Sequence, residues 1–186
     1  MKNYLNDTVK VVTELASDPP AELEQFVAAA FKSWDAGGKV VSFGNGGSAT
    51  DSLHFTTELV ARFRKKSIHR PAISLCASPS SLTAIANDWS FEELFSRQVQ
   101  AQVTENDLLL GISTSGNSPN VIRGLQAGLE KSATCFALTG RSGGQMASIF
   151  GLELIRVPSE ITAHIQVAHI SCLHAICDRI DKRING

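Results

Sequence analysis

An apolar strand that stops at Gly44-Asn45-Gly46-Gly47 and restarts as a helix constrains this chain more than any other stretch. In Lys39–Arg62, KVVSFGNGGSATDSLHFTTELVAR, Val40, Val41 and Phe43 form a short β-branched and aromatic run. Three glycines in the next four residues supply backbone without Cβ that can take positive φ. Ser48 and Asp51 offer N-cap and first-turn chemistry to a helix through Leu53, Phe55, Leu59, Val60 and Phe63. The stretch therefore reads as one βα unit whose loop N–H groups and helix N-terminus converge on one spot. That spot suits an anion, most simply a phosphate.

On the same helix His54 and Glu58 are four residues apart, one turn above the other on one face. An imidazole and a carboxylate so placed can meet one metal or one substrate, or can form a solvated pair. Gly44, Gly46 and Ala49 also fit the dinucleotide pattern G-x-G-x-x-A. A nicotinamide cofactor needs an acid at the end of the second strand for the ribose hydroxyls. The next apolar run, Ala72–Cys76, leads instead into Ala77-Ser78-Pro79-Ser80, which disfavours NAD.

With 186 residues and 43% hydrophobic content, the chain has the length for one domain with a substantial core. Residues 1–36 read as N-terminal helices used in oligomerisation, and 37–186 as an α/β core closed by a C-terminal helix. The formal net charge of −1, with both signs interspersed, provides no basic face for nucleic acid. The N-terminus is too polar for a signal peptide, and no apolar run approaches the ~20 residues that span a bilayer, so a cytoplasmic protein without membrane contact is expected. Cys76, Cys135, Cys172 and Cys177 sit in apolar patterns without C-x-x-C spacing, as buried reduced thiols do.

Apolar residues at helical intervals from 2 to 16 are followed by the breaker Asp18-Pro19-Pro20 and a second helix from about Ala21 to Trp34, ended by Gly37-Gly38. Ala72–Cys76, Leu108–Ile112, Thr134–Leu138 and Leu152–Val157 then read as strands separated by helical stretches. Five strands alternating with helices predict a parallel sheet covered on both faces, with ligands at the carboxyl ends of the strands. After the third strand comes Ser113-Thr114-Ser115-Gly116-Asn117-Ser118, with Pro119 and Asn120 leading into a helix. Hydroxyls and a glycine at that junction favour a neutral phosphate cradle over a plain serine-rich cap. The run lacks the Gly-Lys-Ser/Thr end of a P-loop, which argues against nucleotide triphosphate hydrolysis. Asn87 and Asp88 suit either sugar hydroxyls or the cap of a helix spanning Phe91–Gln102, and their spacing favours the cap. Thr139-Gly140-Arg141-Ser142-Gly143-Gly144 is a further polar loop at the ligand edge.

The last helix, from about Ile161 to Ile184, carries Gln166 and the histidines His164, His169 and His174. Five-residue steps turn ~140°, so these three histidines cannot share one face. Apolar residues on more than one side of the helix suggest burial between subunits, with the N-terminal helices as partners.

Together these motifs resemble the sugar isomerase (SIS) fold and, within it, phosphoheptose isomerases. The pattern comprises GNGGS, His-x-x-x-Glu at 54 and 58, Asn87-Asp88, LLLGISTSGNS from 108 to 118, the Thr139-Gly140 loop, and Gln166 with His169 and His174. The resemblance runs from about residue 38 to 180. It implies a flavodoxin-like three-layer αβα sandwich with a five-stranded parallel sheet, plus N-terminal helices, in a homotetramer with Zn2+. The implied reaction converts sedoheptulose 7-phosphate to D-glycero-D-manno-heptose 7-phosphate, the entry step to the heptose of lipopolysaccharide or related products. By position, Asn45, Gly46, Gly47 and Ser48 with Ser113, Thr114, Ser115 and Ser118 would hold the substrate, chiefly its phosphate. Asn87 and Asp88 would hold its hydroxyl chain. The metal would fall to His54, Glu58, Gln166 and His174, with Gln166 and Glu58 also on the substrate and Glu58 and His174 as proton-transfer residues.

The chain departs from the family at Ala163 and Val167, where acids are frequent, and this bears on sugar specificity. Two alternatives accompany the resemblance: an SIS isomerase for a hexose or pentose phosphate, and a non-catalytic SIS module that associates with the replication initiator. The latter relatives lack the acid and the histidine found here as Glu58 and His174. Eight helical residues separate Gln166 from His174 by ~12 Å and turn them by ~80°, a strained reach to one metal. An irregular first turn or a site shared between chains would ease it.

Overall fold

The computed structural model describes residues 1–64 and 69–185, so 65–68 and 186 of the expected single domain lie outside the description. Helices α1 (Lys2–Ser17) and α2 (Glu22–Asp35) are separated by the expected proline breaker. They are followed by β1 (Val40–Gly44), α3 (Gly47–Val60), β2 (Ala72–Ser74), α4 (Pro79–Asp88), α5 (Ser96–Gln102), β3 (Leu108–Ser113), α6 (Pro119–Glu130), β4 (Thr134–Thr139), β5 (Glu153–Arg156) and α7 (Thr162–Asn185). The five strands form a parallel sheet in the order β2-β1-β3-β4-β5.

Strand residues alternate between two cores, as a period of two requires. Val40, Leu108, Leu110, Phe136 and Leu138 pack with Phe26, Phe55 and the apolar side of α7. Val41, Phe43, Leu109 and Ala137 pack on the other face with Phe95, Val99, Val121 and Leu125. This is the three-layer sandwich expected for central strands that are apolar on both sides. Chain order reverses between β1, which leads to β2 on one side, and β3 on the other. The loops after β1 and β3 therefore diverge at this switch point, and a crevice opens between Gly44 and its register partner Ile112.

Several local expectations are corrected. The residue preceding α3 is Gly46, whose φ of +53° suits glycine, and Ser48 is a buried first-turn residue rather than the cap. Asn87 and Asp88 are the last residues of α4, not the cap of the next helix. The stretch from Phe91 to Gln102 is a 3-10 turn at Phe91–Glu93 followed by α5. Helix α7 is regular from its start, and its apolar sides are covered by α1, α2, α3 and β4 of the same chain.

Candidate active site

Helix α3 begins at the crevice and carries chemistry along one face. Positions 47, 51, 54 and 58 fall within ~60° around its axis, and α7 lies alongside in the same direction. At the crevice end the Gln166 amide rests against Gly47, where an added Cβ would lie 2.1 Å from Nε2. Further along, His54 Nε2 is 2.9 Å from His174 Nε2 and 3.4 Å from a Glu58 oxygen. Two neutral imidazoles can make such a contact only if one ring donates its Nε2 proton to the other. The Phe63 ring packs on His174, with centroids 5.7 Å apart. The structure thus brings three of the four expected metal ligands into one row and holds Gln166 about two turns away, next to the loop.

Asp51, read from sequence only as a first-turn residue, lies between these points. Burial pushes its carboxyl up to about 6, against the opposing pull of His54, and its Oδ2 has no hydrogen-bond partner among the described residues. Of the other two α7 histidines, His169 is fully buried in the core and His164 is buried beside Tyr4, so of the three on this helix His174 is the one that reaches the row.

The crevice is a separate construction. Ser113 and Ser118 hydroxyls meet at 2.9 Å, and the Ser115 hydroxyl accepts the Asn117 N–H at 3.2 Å. Thr114 contributes its backbone carbonyl, which accepts the Gly140 N–H at 3.1 Å. The Gly140–Met146 stretch braces the loop further: Gln145 N–H donates to Asn117 Oδ1 at 2.8 Å and Met146 N–H to Gly116 O at 3.1 Å. Gly116, at φ +64°, approaches Gly143 so closely that a Cβ would sit 2.0 Å from the Gly143 carbonyl oxygen. Across the crevice Asn45 pairs with Asn120 through two amide hydrogen bonds of 2.8 and 2.9 Å. Asn120 and Asn117 were not singled out from sequence, because the signal for both is a partner on another loop. Asn87 and Asp88 are exposed and hydrogen-bond to each other at 2.8 Å, at the far end of α4.

The row is open to solvent, with the His54 side chain 46% exposed. Cavities of about 570 and 540 Å³ lie elsewhere, one behind α3 beside β2 and the other at the α1–α2 turn.

Residues 3–140 match the SIS domain family. The chain is 40% identical over 186 residues to the phosphoheptose isomerase of Shewanella frigidimarina, covering 99% of this chain and 94% of that one. Its fold matches the solved phosphoheptose isomerase of Neisseria gonorrhoeae with a TM-score of 0.90 at 37% identity, over 97% of this chain and 96% of that one. The corresponding values for the enzyme of Francisella tularensis are 0.92 and 33%, with the same coverage. With that sequence identity along nearly its whole length, the chain belongs to the phosphoheptose isomerase family of SIS-domain proteins.

Proposed function

We propose that the chain interconverts sedoheptulose 7-phosphate and D-glycero-D-manno-heptose 7-phosphate through an enediol(ate), as the entry step to lipopolysaccharide heptose, in the cytoplasm and as a homotetramer. The observation that carries this reading is the spacing of two chemistries along α3. The oxyanion-binding loops lie at its start, and a carboxylate–imidazole–imidazole row, Glu58–His54–His174, lies ~10 Å further along. A substrate served by both must hold its phosphate far from its reacting carbons, as a seven-carbon chain phosphorylated at its last carbon does.

Isomerisation moves a proton between adjacent carbons and needs a base at carbon and an acid at oxygen. In the proposed sequence Glu58 removes the proton from C1 of the ketose while His174 donates one to the C2 oxygen. The same two groups then protonate C2 and deprotonate the C1 oxygen, which closes the proton balance. His54, in contact with both, fixes the His174 ring through Nε2. The loops keep the phosphate still during the exchange.

The row's donor types suit zinc, and the 2.9 Å hydrogen bond between the His54 and His174 Nε2 atoms would have to open for both nitrogens to hold an ion. Among the described residues the donors form a row rather than a cage around one point. His54, Glu58 and His174 would hold the ion, with Gln166 as a fourth donor. When bound, it would polarise the carbonyl and stabilise developing oxyanion charge. A carboxylate held by the ion is a weaker base, so Glu58 serves one role at a time.

The test is turnover of a panel of heptose, hexose and pentose phosphates with and without a chelator, alongside sedimentation. Heptose phosphate turnover by a tetramer, lost on chelation and restored by zinc, is expected. Faster turnover of a shorter sugar phosphate would overturn the substrate, full activity after chelation the metal, and an active monomer the assembly.

A further inference from the structure

We propose that Asn120 is a positioning residue that sets the direction in which the Asn45 amide meets the bound phosphate; this rests on the substrate reading above. The two side chains are 75 positions apart in sequence and form a closed amide pair. Asn45 Nδ2 donates to Asn120 Oδ1 at 2.8 Å, and Asn120 Nδ2 donates to Asn45 Oδ1 at 2.9 Å. Such a pair would satisfy hydrogen bonding equally well with both amides flipped, so something else must fix its sense. The Val121 backbone N–H does so, donating to Asn120 Oδ1 at 2.9 Å. A backbone N–H requires an acceptor, so Oδ1 must face it, Nδ2 must face Asn45 Oδ1, and the Asn45 amide has one permitted orientation. Asn120 is 1% exposed and its amide is occupied within the protein, whereas Asn45 is half-buried at the crevice. The second Nδ2 proton of Asn45 is the group left to donate to an oxyanion.

The pair also ties the loop after β1 to the first turn of α6, the two halves of the crevice, across the switch point. Gly46 at φ +53° follows Asn45 immediately, so the tie holds the loop at its sharpest bend.

A double-mutant cycle on the full-length protein tests the assignment. Asn45→Ala and Asn120→Ala should each raise KM for sedoheptulose 7-phosphate ~10-fold with kcat little changed, as expected for loss of a bond to an unreactive group. The double variant should lose the same ~10-fold rather than ~100-fold, because the second change removes a partner already gone. Asn120→Asp keeps the acceptor for Val121 but turns an acceptor toward Asn45 Oδ1, so it should stay folded and raise KM at least as much as Asn120→Ala. A merely structural role would lower Tm in all these proteins and leave KM alone. Multiplying effects in the cycle, or wild-type KM in folded Asn120→Asp, overturn the proposal. A wild-type protein that turns over no sugar phosphate defeats the isomerase reading by itself. The pair is then judged by the Kd for inorganic phosphate in the same set, where non-additive weakening supports it and equal Kd values or no binding overturn it.

Discussion

The phosphate cradle and the catalytic row are served by the same helix and built in opposite ways. In the cradle nearly every polar group has a partner within the protein: Ser113 and Ser118 meet inside their own loop, while Asn45 is tied to Asn120, Asn117 to Gln145, and Thr114 and Gly116 to the Gly140–Met146 stretch. Along the row, His54 contacts both Glu58 and His174, half of the His54 side chain is open, and Asp51 leaves a carboxyl oxygen without a partner among the described residues. The difference follows from the chemistry asked of each. An anion that does not change during the reaction is best met by donors fixed in advance, whereas groups that take up and release protons must change partners.

The sharpest way to break this comparison is to remove the proton-transfer groups. Glu58→Gln and His174→Ala should each lower kcat by ~10²- to 10⁴-fold while leaving the fold intact, because the row carries few structural ties. Circular dichroism and steady-state kinetics check both halves. Near-full turnover by both variants would mean that the row is not the catalytic centre.

Much of this contrast was legible in the sequence, and the gaps have physical causes. Strands β1, β3 and β4 were readable because their apolar runs end at glycine, serine or threonine signals. Helix α4 was not, since none of its residues is buried. It has little apolar stripe to read and starts on local chemistry, with Ser78 accepting the Ser81 N–H and Pro79 in the first turn. The spacing of His54 and Glu58 gave two of the row's three residues, while His174 joins it only through the packing of α7 on α3. The Asn45–Asn120 pair left no trace, because residues 75 positions apart meet through sheet topology rather than periodicity.

The prebuilt half of the molecule extends behind the cradle to His169, and there acid should find it. His169 is fully buried and burial lowers its pKa to about 4, with the Thr139 backbone pulling weakly the other way. The unfolded chain takes up this proton near pH 6.5 and the folded one does not, so stability is complete above about 6.5 and falls as pH drops toward 4. The loss should reach ~3 kcal/mol at the acid end, the size of that shift. Urea midpoints between pH 7 and 4 measure it, and His169→Leu should flatten the curve. An unchanged slope in that variant assigns the acid sensitivity to other groups.

Smaller effects should separate the cradle's hydroxyls. Ser113→Ala and Ser118→Ala each remove a donor and strand the other hydroxyl, so KM should rise by an amount equivalent to ~1–3 kcal/mol with kcat held. Ser115 is exposed and its hydroxyl already accepts the Asn117 N–H, so Ser115→Ala should lie at the low end of that range. Effects confined to kcat would show that the loop acts on the reacting atoms rather than on the phosphate.

The junction of the two constructions is Gly47, and a single methyl group there sharpens the comparison. A Cβ there would sit 2.1 Å from Gln166 Nε2 and 3.0 Å from Cδ, which are the far end of a flexible side chain rather than backbone. The side chain can swing away, so the fold should lose little. Gly47 also lies in the first turn of α3 without a left-handed φ, where alanine is the better helix former by up to ~1 kcal/mol. Gly47→Ala should therefore keep or slightly raise Tm. It should lower kcat/KM ~10-fold, a loss of one hydrogen bond's worth, through displacement of the Gln166 amide. Gln166→Ala should show a similar loss, and the double variant should add little to it. If Gly47→Ala is fully active while Gln166→Ala is not, Gln166 works from a position other than its place beside the loop. If Gly47→Ala unfolds, the first turn of α3 is as rigidly built as the cradle and the boundary between the two regions lies further along the helix, between Asp51 and His54.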